Sequence, residues 1–222
     1  MTAILFDFNG TMIFDTPIVE QSWQSFLHNH RINKTIDEIR PWIHGLDPLD
    51  TIEHFFGTIS KDECQQLVDE KEELYRNLCL QHKNDCYKLV PGLEEFLNQC
   101  QNKNIKMTIA TAAPLKNVEF FFSSLSLNRW FNFSDVVFCD GSFPGKPDPT
   151  IYLLAAKKLD TNISDCIIFE DAVSGIKAAV SSKCKCVIGL TSLLNESQIK
   201  ELQANYAIND YKDTKFLFSL FN

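Results

Sequence analysis

The sequence predicts a doubly wound α/β fold, in which helices cover both faces of a parallel sheet. Five short apolar runs recur along the 222 residues, and helical patterns separate most of them. Short apolar runs bounded by polar residues are typical of strands that are covered on both faces. Strands that alternate with helices predict a parallel sheet. One helical block, residues 15–86, interrupts this alternation and predicts an inserted second domain.

The predicted strands follow from the apolar runs themselves. They are AILF at 3–6, KMTIAT at 106–111, DVVFC at 135–139, CIIFE at 166–170 and CVIGL at 186–190. Each run is only four to six residues long, which is the ordinary length of a buried strand.

Helical spacing marks the segments between these strands. Apolar residues repeat every three or four positions after the Pro91-Gly92 pair. A helix is also predicted at 150–159, because this segment follows Pro149 and proline is well suited to the first position of a helix. Another is predicted at 173–182, after the fourth strand run.

Residues 15–86 show helical periodicity and no strong strand run. Connections in α/β proteins are usually about 2 to 6 residues long, so this block is too long to be a loop. We predict that 15–86 form a helical cap domain, inserted into a core domain made of 1–14 and 87–222.

Composition excludes several classes of function. The formal charge is −8, so neither nucleic acid nor an anionic membrane surface is an expected partner. No run approaches the roughly 18 apolar residues of a membrane span, and the N-terminus does not resemble a cleaved signal. The eight cysteines show no disulfide or zinc spacing. We therefore expect reduced thiols, a cytoplasmic location, and a monomer or weak homo-oligomer.

Polar side chains of the kinds that bind metals or take part in catalysis lie at the predicted carboxyl ends of the strands, where open α/β sheets bind ligands. They are Asp7, Thr111, Lys146 in a Pro/Gly-rich loop, and the pair Glu170-Asp171. Crowded carboxylates repel one another unless a cation lies among them, and Mg²⁺ prefers such oxygen ligands. A lysine and a hydroxyl beside the cation suit a phosphoryl group.

Each of these residues alone also has a structural interpretation. Asp7 or the Glu170-Asp171 pair would serve as helix caps, Thr111 as a turn hydroxyl, and Lys146 as a solvated loop charge. Their order along the chain, each at a strand end or loop, favours a common site.

Four segments carry a specific resemblance. DFNGTMIFDT, IATAAPLKN, GKPDPTIYLLAAKKL and IIFEDAVSGIKAA resemble, in order, the four motifs of the haloacid dehalogenase (HAD) superfamily. The helical block after the first motif resembles the cap of its β-phosphoglucomutase-like and phosphatase-like subgroup. The resemblance implies a Rossmann-like HAD core with an inserted α-helical cap.

The resemblance also implies roles for individual residues. Asp7 matches the nucleophile that accepts a phosphoryl group as an aspartyl phosphate. The residues matched to phosphate binding are Thr111, Ala112, Lys146 and Gly10. The residues matched to Mg²⁺ binding are Asp7, Asn9 through its backbone carbonyl, Glu170 and Asp171.

Asn9 departs from the family pattern, in which phosphatases and mutases have an aspartate that acts as general acid and base. An amide cannot take up or release a proton near neutral pH. Loss of a positioned acid/base typically lowers the rate by about 10²–10⁴. From the sequence alone, Asn9→Asp is expected to raise the rate at least about tenfold.

The predicted function is a Mg²⁺-dependent phosphatase-type hydrolase acting on a small, sugar phosphate-like metabolite. The alternative is a relative that binds a phosphorylated ligand with little or no turnover. Dehalogenation is disfavoured because dehalogenases do not resemble the Glu170-Asp171 pair. Phosphonate hydrolysis needs a cap lysine as a Schiff base, for which the sequence offers Lys34, Lys61, Lys71 and Lys83.

β-Phosphoglucomutase activity is disfavoured for two reasons. It needs the acid/base that Asn9 lacks, and the mutase cap has an arginine that the segment HGLDPLD does not contain. Asp47 follows Gly45 in this segment, and acidic cap residues that face the crevice would also disfavour a second phosphate on the substrate.

Overall fold

The computed structural model describes residues 2–83 and 85–221. Its centre is a six-stranded sheet with the order β3-β2-β1-β4-β5-β6. All neighbouring strands are parallel. The strands are β1 Ala3–Phe6, β2 Lys106–Pro114, β3 Val137–Cys139, β4 Cys166–Glu170, β5 Cys186–Leu190 and β6 Tyr206–Ile208. The predicted α/β fold class is therefore confirmed.

Five of these strands coincide with the predicted runs, and β6 was missed. This strand has only three residues, lies at the edge of the sheet beside β5, and is partly exposed. A short edge strand has no need of a long apolar run, so the pattern that identifies buried strands does not detect it.

Ten α-helices are found among the described residues. They are α1 Thr16–Asn29, α2 Ile36–Ile39, α3 Pro48–Phe56, α4 Lys61–Gln81, α5 Leu93–Asn102, α6 Leu115–Leu125, α7 Thr150–Lys158, α8 Val173–Ser181, α9 Glu196–Glu201 and α10 Thr214–Ser219. The helices predicted at 150–159 and 173–182 correspond to α7 and α8, each one residue shorter at its C-terminal end.

Two hydrophobic clusters cover the two faces of the sheet. Alternate side chains of β1 point to opposite faces, so Ile4 and Phe6 belong to one cluster and Ala3 and Leu5 to the other. In the first cluster the ring of Phe6 stacks on Phe169 of β4 with centroids 5.1 Å apart. Because β1 is packed on both faces and paired on both edges, its C-terminal end is held firmly at the middle of the sheet.

The helices α1 to α4 surround a third cluster of their own. Its buried members are Trp23, Phe26, Leu27, Ile39, Ile43, Ile52, Cys64 and Val68. All of them lie within the range predicted for the cap. The eight cysteines are free, and no helix in the described part of the chain is long and apolar enough to cross a bilayer.

Candidate active site

Asp7 follows the central strand β1, at the carboxyl end of the sheet. Its backbone N–H donates to the carbonyl of Phe169 at 3.0 Å, which extends the pairing with β4 by one residue. The residue is 6% exposed and lines a cavity of about 80 Å³ between the sheet and the helices of the insert. Burial raises the pKa of Asp7 to about 7, and the charge of Lys146 opposes that shift.

Lys146 links Asp7 to Glu170. Its Nζ lies 2.5 Å from Oδ1 of Asp7 and 2.6 Å from Oε1 of Glu170. Burial by itself lowers the pKa of Lys146, but the two carboxylates outweigh it and hold the pKa above its ordinary value. The lysine predicted from a loop is therefore a buried, charged residue that fixes one oxygen of Asp7. Among the described residues none donates a hydrogen bond to the other oxygen, Oδ2.

Glu170 at the end of β4 is saturated with hydrogen bonds. Oε1 accepts from Lys146 and from the Tyr152 hydroxyl at 2.8 Å. Oε2 accepts from the backbone N–H groups of Asp171 at 2.8 Å and Ala172 at 3.0 Å. To ligate a metal ion directly, Glu170 would have to release one of these donors. The match of Glu170 to Mg²⁺ binding in the sequence did not include these hydrogen bonds.

Asp171 is more open to a cation than Glu170. Its Oδ1 accepts from the Thr11 hydroxyl at 3.1 Å and its Oδ2 from the Ser192 hydroxyl at 2.9 Å. Burial and the nearby charges of Glu170 and Asp7 raise the pKa of Asp171 well above its ordinary value. A carboxylate in this position is destabilised unless a positive charge lies beside it.

The carboxyl groups of Asp7, Glu170 and Asp171 fit a hard divalent cation. One oxygen of each lies within 4.8 Å of the others, and all three residues are buried. Lys146 supplies one positive charge to this trio, which leaves the site acidic. Oxygen ligands and a net negative charge are what Mg²⁺ requires.

Gly10 is needed for close packing against Asp171. Its φ is +75°, and a Cβ at this position would overlap the Oδ2 atom of Asp171. The backbone N–H of Gly10 donates to Oδ1 of Asp15 at 3.0 Å. Gly10 therefore lines the cavity with its N–H engaged by Asp15, and its role in phosphate binding stays a prediction.

Thr111 and Ala112 reach the cavity from β2, where its pairing with β3 becomes irregular. Oγ1 of Thr111 accepts a hydrogen bond from the backbone N–H of Ala113 at 3.1 Å. The hydroxyl hydrogen of Thr111 is then available to a ligand oxygen. The structure thus brings Thr111 to the same cavity as Asp7, as predicted from the strand ends.

Asn9 forms a hydrogen-bonded triangle with Asp15 and Tyr75. Its Nδ2 donates to Oδ2 of Asp15 at 2.6 Å and to the Tyr75 hydroxyl oxygen at 2.9 Å, and that hydroxyl donates to Oδ2 of Asp15 at 2.5 Å. A carboxylate only accepts hydrogen bonds, so the amide nitrogen must be the atom that faces Asp15. The amide oxygen of Asn9 takes no part in this triangle, and Asn9 lines the cavity that contains Asp7.

Burial raises the pKa of Asp15, while the hydrogen bonds from Tyr75 and Asn9 oppose that shift. Asp15 is fully buried and Tyr75 is 1% exposed, whereas Asn9 is partly exposed, so the triangle is shielded from solvent except at Asn9. Asp15 and Tyr75 therefore set the orientation of the Asn9 amide.

The cavity wall also contains polar residues that the sequence did not assign to phosphate or metal binding, among them Lys71, Glu72 and Asn117. Of these three, the sequence singled out Lys71 alone, as a candidate cap lysine for phosphonate hydrolysis. Lys71 and Glu72 are buried on α4, and Asn117 is buried on α6. Helical spacing is the signal that could have found Lys71 and Glu72, because the buried residues of α4 recur at 64, 68, 71–72, 75 and 78–79. This three-to-four spacing places Lys71 and Glu72 on the buried face of the helix.

Asp47 of the segment HGLDPLD has a structural role at the start of α3. Its Oδ1 accepts from the backbone N–H of Leu49 at 2.9 Å, so Asp47 caps the N-terminus of α3. Its Oδ2 lies 3.0 Å from Sγ of Cys139, and Asp47 does not line the cavity that contains Asp7. Glu72 of α4 is an acid of the predicted cap that does line this cavity.

A family model described as haloacid dehalogenase-like hydrolase matches residues 1–182. The chain belongs to the haloacid dehalogenase-like hydrolases. The resemblance seen in the four motifs is thereby confirmed, and so is the prediction of a hydrolase. Relatives that carry phosphatase names support a phosphoric monoester hydrolase.

This hydrolase is similar to several known proteins. It is 27% identical over 210 residues to the phosphorylated carbohydrates phosphatase of Thermotoga maritima, with 89% of each chain covered. It is 29% identical over 187 residues to the β-phosphoglucomutase of Bacillus subtilis, covering 82% of this chain and 80% of that one. A crystal structure of a HAD hydrolase, family IA, variant 3, from Entamoeba histolytica has a TM-score of 0.88 and 35% identity, with 100% and 99% of the two chains covered.

Proposed function

We propose that this hydrolase is a Mg²⁺-dependent phosphatase that cleaves a small, sugar phosphate-like monoester through an aspartyl phosphate on Asp7. One observation carries the proposal. The Asp7 carboxylate lies in a cavity with one oxygen held by Lys146 and the other without a donor among the described residues. A nucleophile fixed in this way loses little freedom on attack. Residues 15–86 serve as the cap that encloses the substrate.

In the first step, Oδ2 of Asp7 attacks phosphorus and the bond to the substrate oxygen breaks. Lys146 keeps the carboxylate ionised and oriented, and the Thr111 hydroxyl donates to a phosphoryl oxygen. Asp7 and Asp171, with Glu170 if it releases a donor, would hold Mg²⁺, which when bound neutralises negative charge on the phosphoryl group.

In the second step, a water oxygen attacks phosphorus and the Asp7 carboxylate is regenerated. The amide oxygen of Asn9, a residue that lines the cavity, accepts a hydrogen bond from that water and orients it. The amide cannot remove the proton or deliver one to the leaving alkoxide. Protons must then come from solvent in the cavity, which predicts slow turnover by this hydrolase.

A screen of phosphorylated metabolites with Mg²⁺ tests the proposal, with Asp7→Asn measured beside the wild type. Asp7→Asn is expected to abolish phosphate release, because the attacking oxygen is lost, while the variant still folds and binds a phosphate analogue. Phosphate release by Asp7→Asn at the wild-type rate would exclude the aspartyl phosphate. If the wild type binds the analogue but is inert across the whole panel, the alternative of a phosphate-ligand-binding relative is favoured, because Asn9 lacks the acid function.

A further inference from the structure

The cavity that Asp7 lines also contains a buried carboxylate from the insert, and this carboxylate already has its own hydrogen-bond partners. Glu72 of α4 is 5% exposed. Its Oε1 lies 2.8 Å from Nζ of Lys71, and its Oε2 accepts from Nδ2 of Asn117 at 2.5 Å. All three side chains line the same cavity as Asp7. We call these three residues the anion wall.

The anion wall has the donors that proteins use to bind a negatively charged ligand. An ammonium group and an amide N–H converge on a carboxylate, and both hydrogen bonds are strengthened by charge. The amide of Asn117 is held in this orientation, because its Oδ1 accepts from Nη1 of Arg76 at 2.6 Å. The anion at this position is supplied by the chain itself.

A second anionic group on a substrate would therefore find the donors of Lys71 and Asn117 already engaged by Glu72. It would have to displace Glu72 from Lys71 and Asn117, or lie beside a buried like charge. A hydroxyl meets no such obstacle, since it can accept from Lys71 and donate to Glu72. Lys71 also lies against the ring of Trp23, with Nζ 4.8 Å from the ring centroid, which further limits its movement.

We propose that Glu72 acts as a built-in anion that selects phosphate monoesters with an uncharged, hydroxylated carbon skeleton and rejects those with a carboxylate or a second phosphate. This inference rests on the proposed phosphatase function and names the substrate class of that site. Specificity is obtained by repulsion of the wrong ligand as well as by contacts with the right one.

The test uses two probes that differ at one group, glycerol 3-phosphate and 3-phosphoglycerate. The ratio of kcat/KM for the two is measured in the wild type, in Glu72→Gln and Glu72→Ala, and in Glu73→Gln. Glu73 is the matched control, because it is the next residue of α4 and is exposed. An unfolding transition recorded for each variant identifies those that fold.

The wild type and Glu73→Gln are expected to prefer glycerol 3-phosphate by at least about tenfold, and the Glu72 variants to lose at least about tenfold of that preference. An unchanged ratio in a folded Glu72 variant, or a wild type that prefers 3-phosphoglycerate, would overturn the inference.

A second measurement separates this inference from the proposed reaction. The same ratio is taken as dissociation constants in the Asp7→Asn background, which requires no turnover. A change of that ratio on removal of the Glu72 charge supports the anion wall even if the wild type hydrolyses neither probe. If Asp7→Asn retains hydrolysis, the proposed mechanism fails while the ratio still reports on the wall. Absence of binding to both probes, with and without Glu72, would overturn the inference.

Discussion

Replacing Asn9 with aspartate places a second carboxylate against Asp15. The Asn9 nitrogen and Asp15 Oδ2 are 2.6 Å apart, so the new oxygen takes the position of a hydrogen-bond donor. Two unit charges at this distance repel by about 6 kcal/mol at an effective dielectric constant of about 20. Holding one proton on the pair at pH 7 costs about 4 kcal/mol for a carboxyl with an ordinary pKa near 3.9. Protonation is the smaller cost, so the pair shares a proton.

The structure thus revises the gain in rate expected from the sequence. Asn9→Asp should lower the free energy of unfolding by up to about 4 kcal/mol at pH 7, and by less at about pH 5, where the proton is more readily bound. The new carboxyl shares its proton with Asp15, so it is not poised as an acid for the substrate. The rate of this single variant is expected to stay at or below that of the wild type.

The double variant Asn9→Asp/Asp15→Asn exchanges the acid and the amide. The amide introduced at position 15 would accept from the Gly10 N–H through its oxygen and donate to the new carboxylate and to Tyr75 through its nitrogen. Each hydrogen bond of the triangle then has a partner of the right kind. We expect the double variant to recover most of the lost stability and to exceed the wild-type rate by at least about tenfold.

Urea unfolding at the two pH values and steady-state phosphate release with Mg²⁺ measure these effects, with Asp15→Asn as the remaining corner of the cycle. The reasoning is refuted if Asn9→Asp is as stable as the wild type at pH 7 and the double variant is no more stable than the sum of the single changes.

Two further predictions concern the acidic trio. Burial and like charges raise the pKa of Asp171, and burial raises the pKa of Asp7 to about 7. The contribution of these two carboxyl groups to the free energy of unfolding is therefore fully present below about pH 4, and it is lost as the pH rises toward and through the raised pKa values. Mg²⁺ should therefore raise the unfolding temperature more at about pH 8 than at about pH 5, and Asp171→Asn should reduce this response; an equal response at both pH values would contradict it. Gly10→Ala should be destabilised and lose the Mg²⁺ response, because its Cβ would overlap the Asp171 carboxylate, whereas Gly141→Ala, at a similar φ of +74° with nothing within 4 Å of its Cβ, shows only the backbone cost of about 1 kcal/mol. Equal losses in the two alanine variants would show that contact with Asp171 is unimportant.

The sequence determined the fold class and the end of the sheet at which the candidate site lies. Buried parallel strands need continuous apolar runs, and the residues that follow those runs meet at one edge, so Asp7, Thr111 and Glu170-Asp171 were predictable as neighbours. Local spacing also marked α7 and α8. The edge strand β6 was not predicted, because a short and partly exposed strand has no continuous apolar run.

Only the tertiary structure decided how these groups are used. Glu170 and Asp47 are acids in the sequence, yet one is saturated by donors from four residues and the other caps a helix. The sequence presented Asn9 as a lost catalytic acid, but its contacts with Asp15 and Tyr75 come from a neighbouring turn and a helix 66 residues away. The orientation of a side chain depends on partners distant in the chain, and no local pattern records which partners those are.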